Sequence, residues 1–444
     1  MILYILLLFI LSIPSAYAYI DPGTGGYLIS SLWSWIVGFF ALASAIILNF
    51  FRHKLRILRI NKIPRKVIII IVSIIIVTSI IFIFVSKNNS GYELPDYDPD
   101  LVNVTLNTDK AYQGYTLIEG KLIDMNGSVV HEWPFGYLGV IDNNGDFYAQ
   151  HEYESFKWGR YSWNGSIVWE MDIPIHHEIL LTPQDTIIVL TKKVHDYEGR
   201  NVEFDVIVEF DKDGNFIRRW STFEHLDDLQ QYHDQLELDK PSSLLLKDNT
   251  WKNTSIWGGN YDYYHMNAVS LVPNNSRQGT HPAFNPGNYL ISFRHGSMVF
   301  IIDKDTGKVL WRAIYDQVKD NLEGPHSPQM LPNGNILIYD NGRYRGWTRL
   351  IIIDPVTLDV VWEYKDDDFF SYSQGYVQVL PNNNLLVTES EKGHVFELDP
   401  NGELVWEWWH PEMFDDPSKQ NYGKRHDIYR AIRYDQKFID QFLA

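Results

Sequence analysis

Beyond residue 110 the chain alternates between short apolar runs and short polar turns. Residues 324–364 show the pattern at its clearest. His326 to Leu331 reads as a strand, Pro332-Asn333-Gly334-Asn335 as a turn, and Ile336 to Tyr339 as a second strand. A polar loop from Asp340 to Trp347 leads into Arg349 to Asp354, and a turn over Pro355 to Asp359 leads into Val360 to Tyr364. The runs are rich in β-branched and aromatic residues and the turns in Pro, Gly, Asn and Asp, which is strand and turn chemistry. Four antiparallel strands in about 40 residues is the size of one β-propeller blade.

The closing hairpin of that unit recurs at 122–133, 160–171, 208–220, 301–313 and 397–408. Trp169, Trp311, Trp362 and Trp406 hold one equivalent position, filled by His131 in the first copy and Arg218 in the third. A blade cannot bury both of its own faces, so six copies predict a closed ring: an all-β, six-bladed propeller over residues 108–444. The longest interval, from Arg218 to Trp311, predicts an insertion over Phe223 to Pro286 with a short helix near Asp227 to Leu236. Ile428 to Tyr434 has the pattern of a further strand, able to pair with Tyr112 to Ile118 and close the ring.

The amino-terminal pattern is different. Residues 1–18 read as a signal peptide or first membrane segment, ending in Ala16-Tyr17-Ala18. Residues 27–51 and 67–85 are apolar enough and long enough to be transmembrane helices. Between them, residues 52–66 hold Arg52, Lys54, Arg56, Arg59, Lys62, Arg65 and Lys66, a density of positive charge that predicts a cytoplasmic loop. The expectation is an α-helical membrane region, then a linker over 88–107, then a propeller on the extracytoplasmic side.

Charge narrows the function. The chain carries net charge −18; residues 1–89 contribute +7, which leaves −25 for the rest. So acidic a domain is no partner for nucleic acid. There is no cysteine, which removes disulfides and thiolate metal sites. An anion site in the domain must be a local cluster of Arg and His.

Such a cluster is predicted by topology. In an up-and-down blade the first strand starts, the second ends and the third starts at one rim. His176 and His177 open the third blade, His265 the fourth and His326 the fifth, while Ser373 precedes the sixth. Second strands end at Arg294, at Asp340-Asn341 and at Glu389-Ser390. Aligning 299–303, 350–354 and 395–399 puts Met298, Arg349 and His394 together at the start of third strands. A three-His metal site is a competing use of the imidazoles; without a carboxylate partner evident in sequence, the expectation is no metal and no cofactor.

The motifs HMN at 265–267, the run from His326 through YDNG (339–342) to Thr348-Arg349, and His394 in GHVFELD resemble the arylsulfate sulfotransferase family. The resemblance covers roughly Tyr112 to Tyr434 and implies a six-bladed propeller that works without a nucleotide donor. It implies transfer of a sulfuryl group from an aryl sulfate to a phenol, with His394 as the nucleophile in a ping-pong sulfo-histidine mechanism. His265, His326 and Arg349 become its catalytic partners, and His177, Arg294, Asn341 and Ser373 are expected to bind substrate. Imidazole suits the role, since it is nucleophilic at neutral pH and forms a labile N-sulfo adduct. GKVLW at 307–311 also resembles the tryptophan repeat of quinoprotein propellers, which generally have eight blades against the six copies here. The alternative function is a non-catalytic propeller that binds a ligand or partner through the same mouth.

Overall fold

The computed structural model describes residues 94–151, 156–233, 261–417 and 421–443. These form six sheets, antiparallel except for one short parallel pair in the third. Blade one holds Gly114–Ile118, Lys121–Ile123 and Val129–Glu132, and its innermost strand is Ala431–Asp435 from the other end of the chain. Tyr115 pairs with Tyr434 and Ile118 with Ala431, so the last strand closes the ring against the first, as the tail pattern predicts. Blades two to six open with Leu138–Ile141, His176–Leu181, Met266–Leu271, Pro325–Met330 and Tyr376–Val379. From blade two through blade six and on to blade one, each innermost strand contacts the next.

Six apolar clusters fill the spaces between neighbouring blades. The split follows the two-residue period of a strand. In blade five, Ile336 and Ile338 pack toward blade four, while Leu337 and Tyr339 pack toward blade six. Strands buried on both faces explain the near-continuous apolar runs in the sequence.

The repeated tryptophan position has a definite task. Trp169 Nε1 donates to Lys212 O at 3.0 Å, Trp311 Nε1 to Pro355 O at 2.6 Å, and Trp406 Nε1 to Met125 O at 3.1 Å. Each acceptor lies in the last turn of the next blade. His131 Nε2 reaches Trp163 O at 3.0 Å, and Arg218 Nη1 reaches Lys304 O at 3.5 Å and Asp305 Oδ1 at 3.1 Å. The two copies that lack Trp therefore keep a ring or guanidine nitrogen for the same bond. The turns they tie down are built alike. Asp124, Asp211, Asp303, Asp354 and Asp399 each accept the backbone N–H two residues on, at 2.8–3.0 Å. Gly127, Gly165, Gly214 and Gly402 supply left-handed conformations of φ 81–85° that a side chain would strain.

The domain begins earlier than the sequence pattern predicts. Asn103–Asn107, expected in the linker, is a fifth strand on the outer edge of blade six, paired with Leu404–Trp409. Val104 packs into the cluster between blades six and one, and this fixes the strand. The helix of the insertion is Leu226–His233, and a closing helix, Gln436–Leu443, buries Ile439 against blades one and two. Among the described residues no helix is long and apolar enough to cross a membrane. The expected signal segment, both expected spans (27–51 and 67–85) and the basic loop lie outside the described residues.

Candidate functional site

The inner strands of blades three, four and five open irregularly. Their pairing slips by register shifts next to His176, Met266 and His326. His177, His265, Ser327 and, at the head of blade six, Gln374 take positive φ of 57°, 54°, 48° and 61°. None is glycine, and each such residue costs about 1–3 kcal/mol. Bulges at a rim re-aim side chains. Here they turn imidazoles from three blades toward one mouth.

His177 and His265 meet edge to face with ring centroids 4.9 Å apart. Burial disfavours the charged form of His177, and His265, His176 and His326 oppose its charging further. His176 Nδ1 lies 2.7 Å from His177 Nδ1, and the Tyr429 hydroxyl donates to His177 O at 3.0 Å. His326 is 3 % exposed, and burial followed by Arg294 lowers its pKa to about 3. It is a neutral imidazole across the physiological range.

The tautomer of His326 is set by its partners. Its Nδ1 faces Gly324 O at 3.0 Å and Asn341 Oδ1 at 2.6 Å. Asn341 Nδ2 donates to Ser371 O and Gln374 O at 2.8 and 2.6 Å, which orients its oxygen toward the ring. Two acceptors at Nδ1 require the proton there, so the lone pair is on Nε2. Nε2 has no hydrogen-bond partner among the described residues. His265 is arranged alike by a charged partner: its Nδ1 lies 2.5 Å from Asp262 Oδ2. Burial holds His265 well below the usual histidine pKa; Asp262 works against this and Arg294 with it.

Two guanidiniums act at the mouth, those of Arg294 and Arg343. Arg294 acts on His265, His326 and Glu391. Arg343 acts on His326, stacks 4.8 Å over the Tyr372 ring and donates to its hydroxyl at 3.1 Å. Ser373 Oγ donates to Glu391 Oε1 at 2.6 Å. Neutral imidazoles beside two guanidiniums suit an anion of low charge.

Six of the eight expected residues therefore gather at this mouth: His177, His265, His326 and Arg294 in it, Asn341 behind His326, and Ser373 at the rim on Glu391. Arg349 and His394 do not join them. Arg349 is fully buried and makes four hydrogen bonds, to Asp340 at 2.8 Å, Glu363 at 3.1 Å, and Lys319 O and Asn321 O at 2.8 Å each. His394 Nδ1 meets Glu389 Oε2 at 2.8 Å, its Nε2 meets Glu407 Oε1 at 3.1 Å, and its ring stacks on Trp409 at 3.7 Å. Burial opposes protonation of His394, yet Glu389 and Glu407 raise its pKa. With both nitrogens on carboxylates it is an ion-pair partner with no lone pair to offer. The topology predicts equivalence of the two correctly, since each opens a third strand. The equivalence is structural, however: Asp340 lies directly across from Arg349 and Glu389 across from His394, both at the end of a second strand. Sequence reasoning misses Arg343, Asp262 and Glu391. Arg343 follows the YDNG motif and Asp262 precedes His265 by three residues; both signals are local and weak. Among the described residues no group of His, Asp and Glu has the arrangement of a metal site.

The arylsulfotransferase (ASST) family matches residues 117–411. The chain belongs to this family. No curated protein matches it. Among solved structures it is similar to a protein of unknown function from Bacteroides caccae, at 14 % identity, covering 72 % of this chain and 98 % of the other with a TM-score of 0.43. It is also similar to virginiamycin B lyase from Staphylococcus aureus, at 12 % identity over 62 % and 69 % of the two chains with a TM-score of 0.35. A streptogramin B lyase aligns at 11 % identity over 75 % and 97 %, with a TM-score of 0.38. The arylsulfotransferase match spans blades one to six and takes in His177, His265, Arg294, His326 and Arg343.

Proposed function

We propose that this arylsulfotransferase-family propeller moves a sulfuryl group from an aryl sulfate to a phenol, with His326 as the nucleophile. The observation that carries the assignment is the fixed tautomer of His326 beside Arg294 and Arg343. Nε2 attacks sulfur, the S–O bond to the aryl group breaks, and the phenoxide leaves. The ring becomes an N-sulfo imidazolium, whose Nδ1–H already faces two carbonyl oxygens that stabilise the developing charge. The guanidiniums hold the sulfuryl oxygens, which stay negative throughout. A phenol then attacks the same sulfur, the N–S bond breaks and its electron pair returns to Nε2. One site holds the group between two substrates, so the kinetics are ping-pong.

The test is a burst. Enzyme given 4-nitrophenyl sulfate alone releases about one nitrophenol per chain and gains about 80 Da, mapped to the peptide carrying His326. His326→Asn abolishes the burst. A label on the His394 peptide instead would return the nucleophile to blade six. Absence of burst and turnover with several aryl sulfates would make the mouth a binding site.

We further propose that the enzyme is anchored in a membrane, with the propeller outside and the basic loop at 52–66 inside. The seven cations of that loop, flanked by apolar runs, support it.

A further inference from the structure

Blade three stands behind the site and differs from its neighbours. Its second and third strands, Thr186–Tyr197 and Arg200–Asp211, run 12 residues each, whereas those of blade four have 5. The extra length carries Lys192, Glu203 and Asp205, whose side chains are at most 5 % exposed. The chain returns from the insertion as Tyr261–Asp262, which pairs parallel with Val202 and Glu203. That short pairing sets Asp262 Oδ2 2.7 Å from Lys192 Nζ and 2.5 Å from His265 Nδ1, with Glu203 Oε2 3.5 Å from the same ammonium. Asp205 Oδ1 lies 3.7 Å from His176, the neighbour of His177.

Burying one ammonium among three carboxyl groups is expensive, and one ion pair with an apolar surround would hold a hairpin as well. Here the charges are gathered against an imidazole of the site. We infer that Asp262, kept ionised by Lys192, is the positioning residue that makes His265 the acid–base group of the transfer, an inference that rests on the sulfuryl-transfer reading above. Asp262 accepts the Nδ1 proton of His265 and leaves the lone pair on Nε2. As an acceptor phenol attacks sulfur, its proton passes to His265 Nε2 while the N–S bond to His326 breaks. The imidazolium so formed lies on the Asp262 carboxylate. In the next cycle it returns the proton to the departing phenoxide as the donor's S–O bond breaks, so protons balance across the two half-reactions. Asp262 stays ionised throughout. Although burial opposes its charge, Lys192 and then His265 hold its pKa well below the carboxylate range.

The two half-reactions separate the roles. 4-Nitrophenoxide needs no proton to leave, so Asp262→Asn should slow the 4-nitrophenyl sulfate burst at least about 10-fold less than it slows transfer to unsubstituted phenol. Transfer from the sulfo-enzyme to unsubstituted phenol should fall by about 10²-fold, the lower end for a lost acid–base group. Cleavage of phenyl sulfate, a poor leaving group, should fall equally. Asp262→Glu should restore part of the loss, and His265→Gln should reproduce it in a second folded variant. Lys192→Met, with Asp262 deprived of its counter-charge, should show the same selective defect. Equal losses for 4-nitrophenyl and phenyl sulfate, or transfer to phenol within 3-fold of wild type, would overturn the inference. A wild-type enzyme without a burst would instead overturn the reading beneath it.

Discussion

Replacing Arg349 separates a structural ion pair from a substrate clamp. Its guanidinium bonds two carboxylates and two backbone carbonyls and is fully buried beside an equally buried Asp340. Arg349→Met keeps the volume and removes every donor. Breaking one partner of a buried pair costs about 3–5 kcal/mol, because the other charge stays behind without compensation. Arg345 also reaches Asp340 Oδ2 at 3.0 Å and retains part of the pairing, while Lys319 O and Asn321 O lose a shared donor. The two effects oppose, and a loss of about 3–5 kcal/mol is expected. Equilibrium denaturation reads the loss as a lower midpoint at unchanged slope. Calorimetric titration of the folded variant with sulfate should give a Kd within about 3-fold of wild type, because the hydrogen bonds of Arg349 go to Asp340, Glu363, Lys319 O and Asn321 O and not to residues of the mouth. A variant as stable as wild type that binds sulfate ten-fold or more weakly would refute the reasoning and return Arg349 to the site.

The His394 lock predicts a pH effect: its folded pKa lies above the unfolded value near 6.5, so its contribution is complete below about pH 6.5 and fades as pH rises through the folded pKa. Melting temperature should therefore fall between pH 6 and 9 more steeply in wild type than in His394→Gln; parallel profiles would rule the lock out. Trp311→Phe deletes the bond to Pro355 O and should cost about 1 kcal/mol by denaturation, with activity unchanged. Truncation before Ala431 removes the strand that closes blade one, and the product should unfold or self-associate through the open edge, seen by size-exclusion chromatography. Protease added to intact cells should digest the propeller and spare residues 52–66; protection of the propeller would reverse the proposed orientation.

The six-fold ring was legible in the chain because its causes are local. A strand, an Asx turn and a strand are specified within a dozen residues, as at Asp303 to Trp311. The inter-blade donor sits at a constant place in five of the six copies. Even closure by the tail followed from a strand-like pattern left without a blade. The convergence of His177, His265 and His326 was also legible, since chain topology alone brings first-strand openings to one rim. Sequence alone could not separate a first strand that opens in a bulge from a third strand that opens in a cross-strand ion pair. Arg349 and His394 stand at the same rim as the site, yet Asp340 and Glu389 claim them, and only register shows which carboxylate lies opposite which cation. Lys192 and Asp262 are 70 residues apart and meet through an elongated hairpin and a two-residue parallel pairing. Electrostatic partnership of that kind depends on three-dimensional distance and shared burial, and neither leaves a period in the sequence.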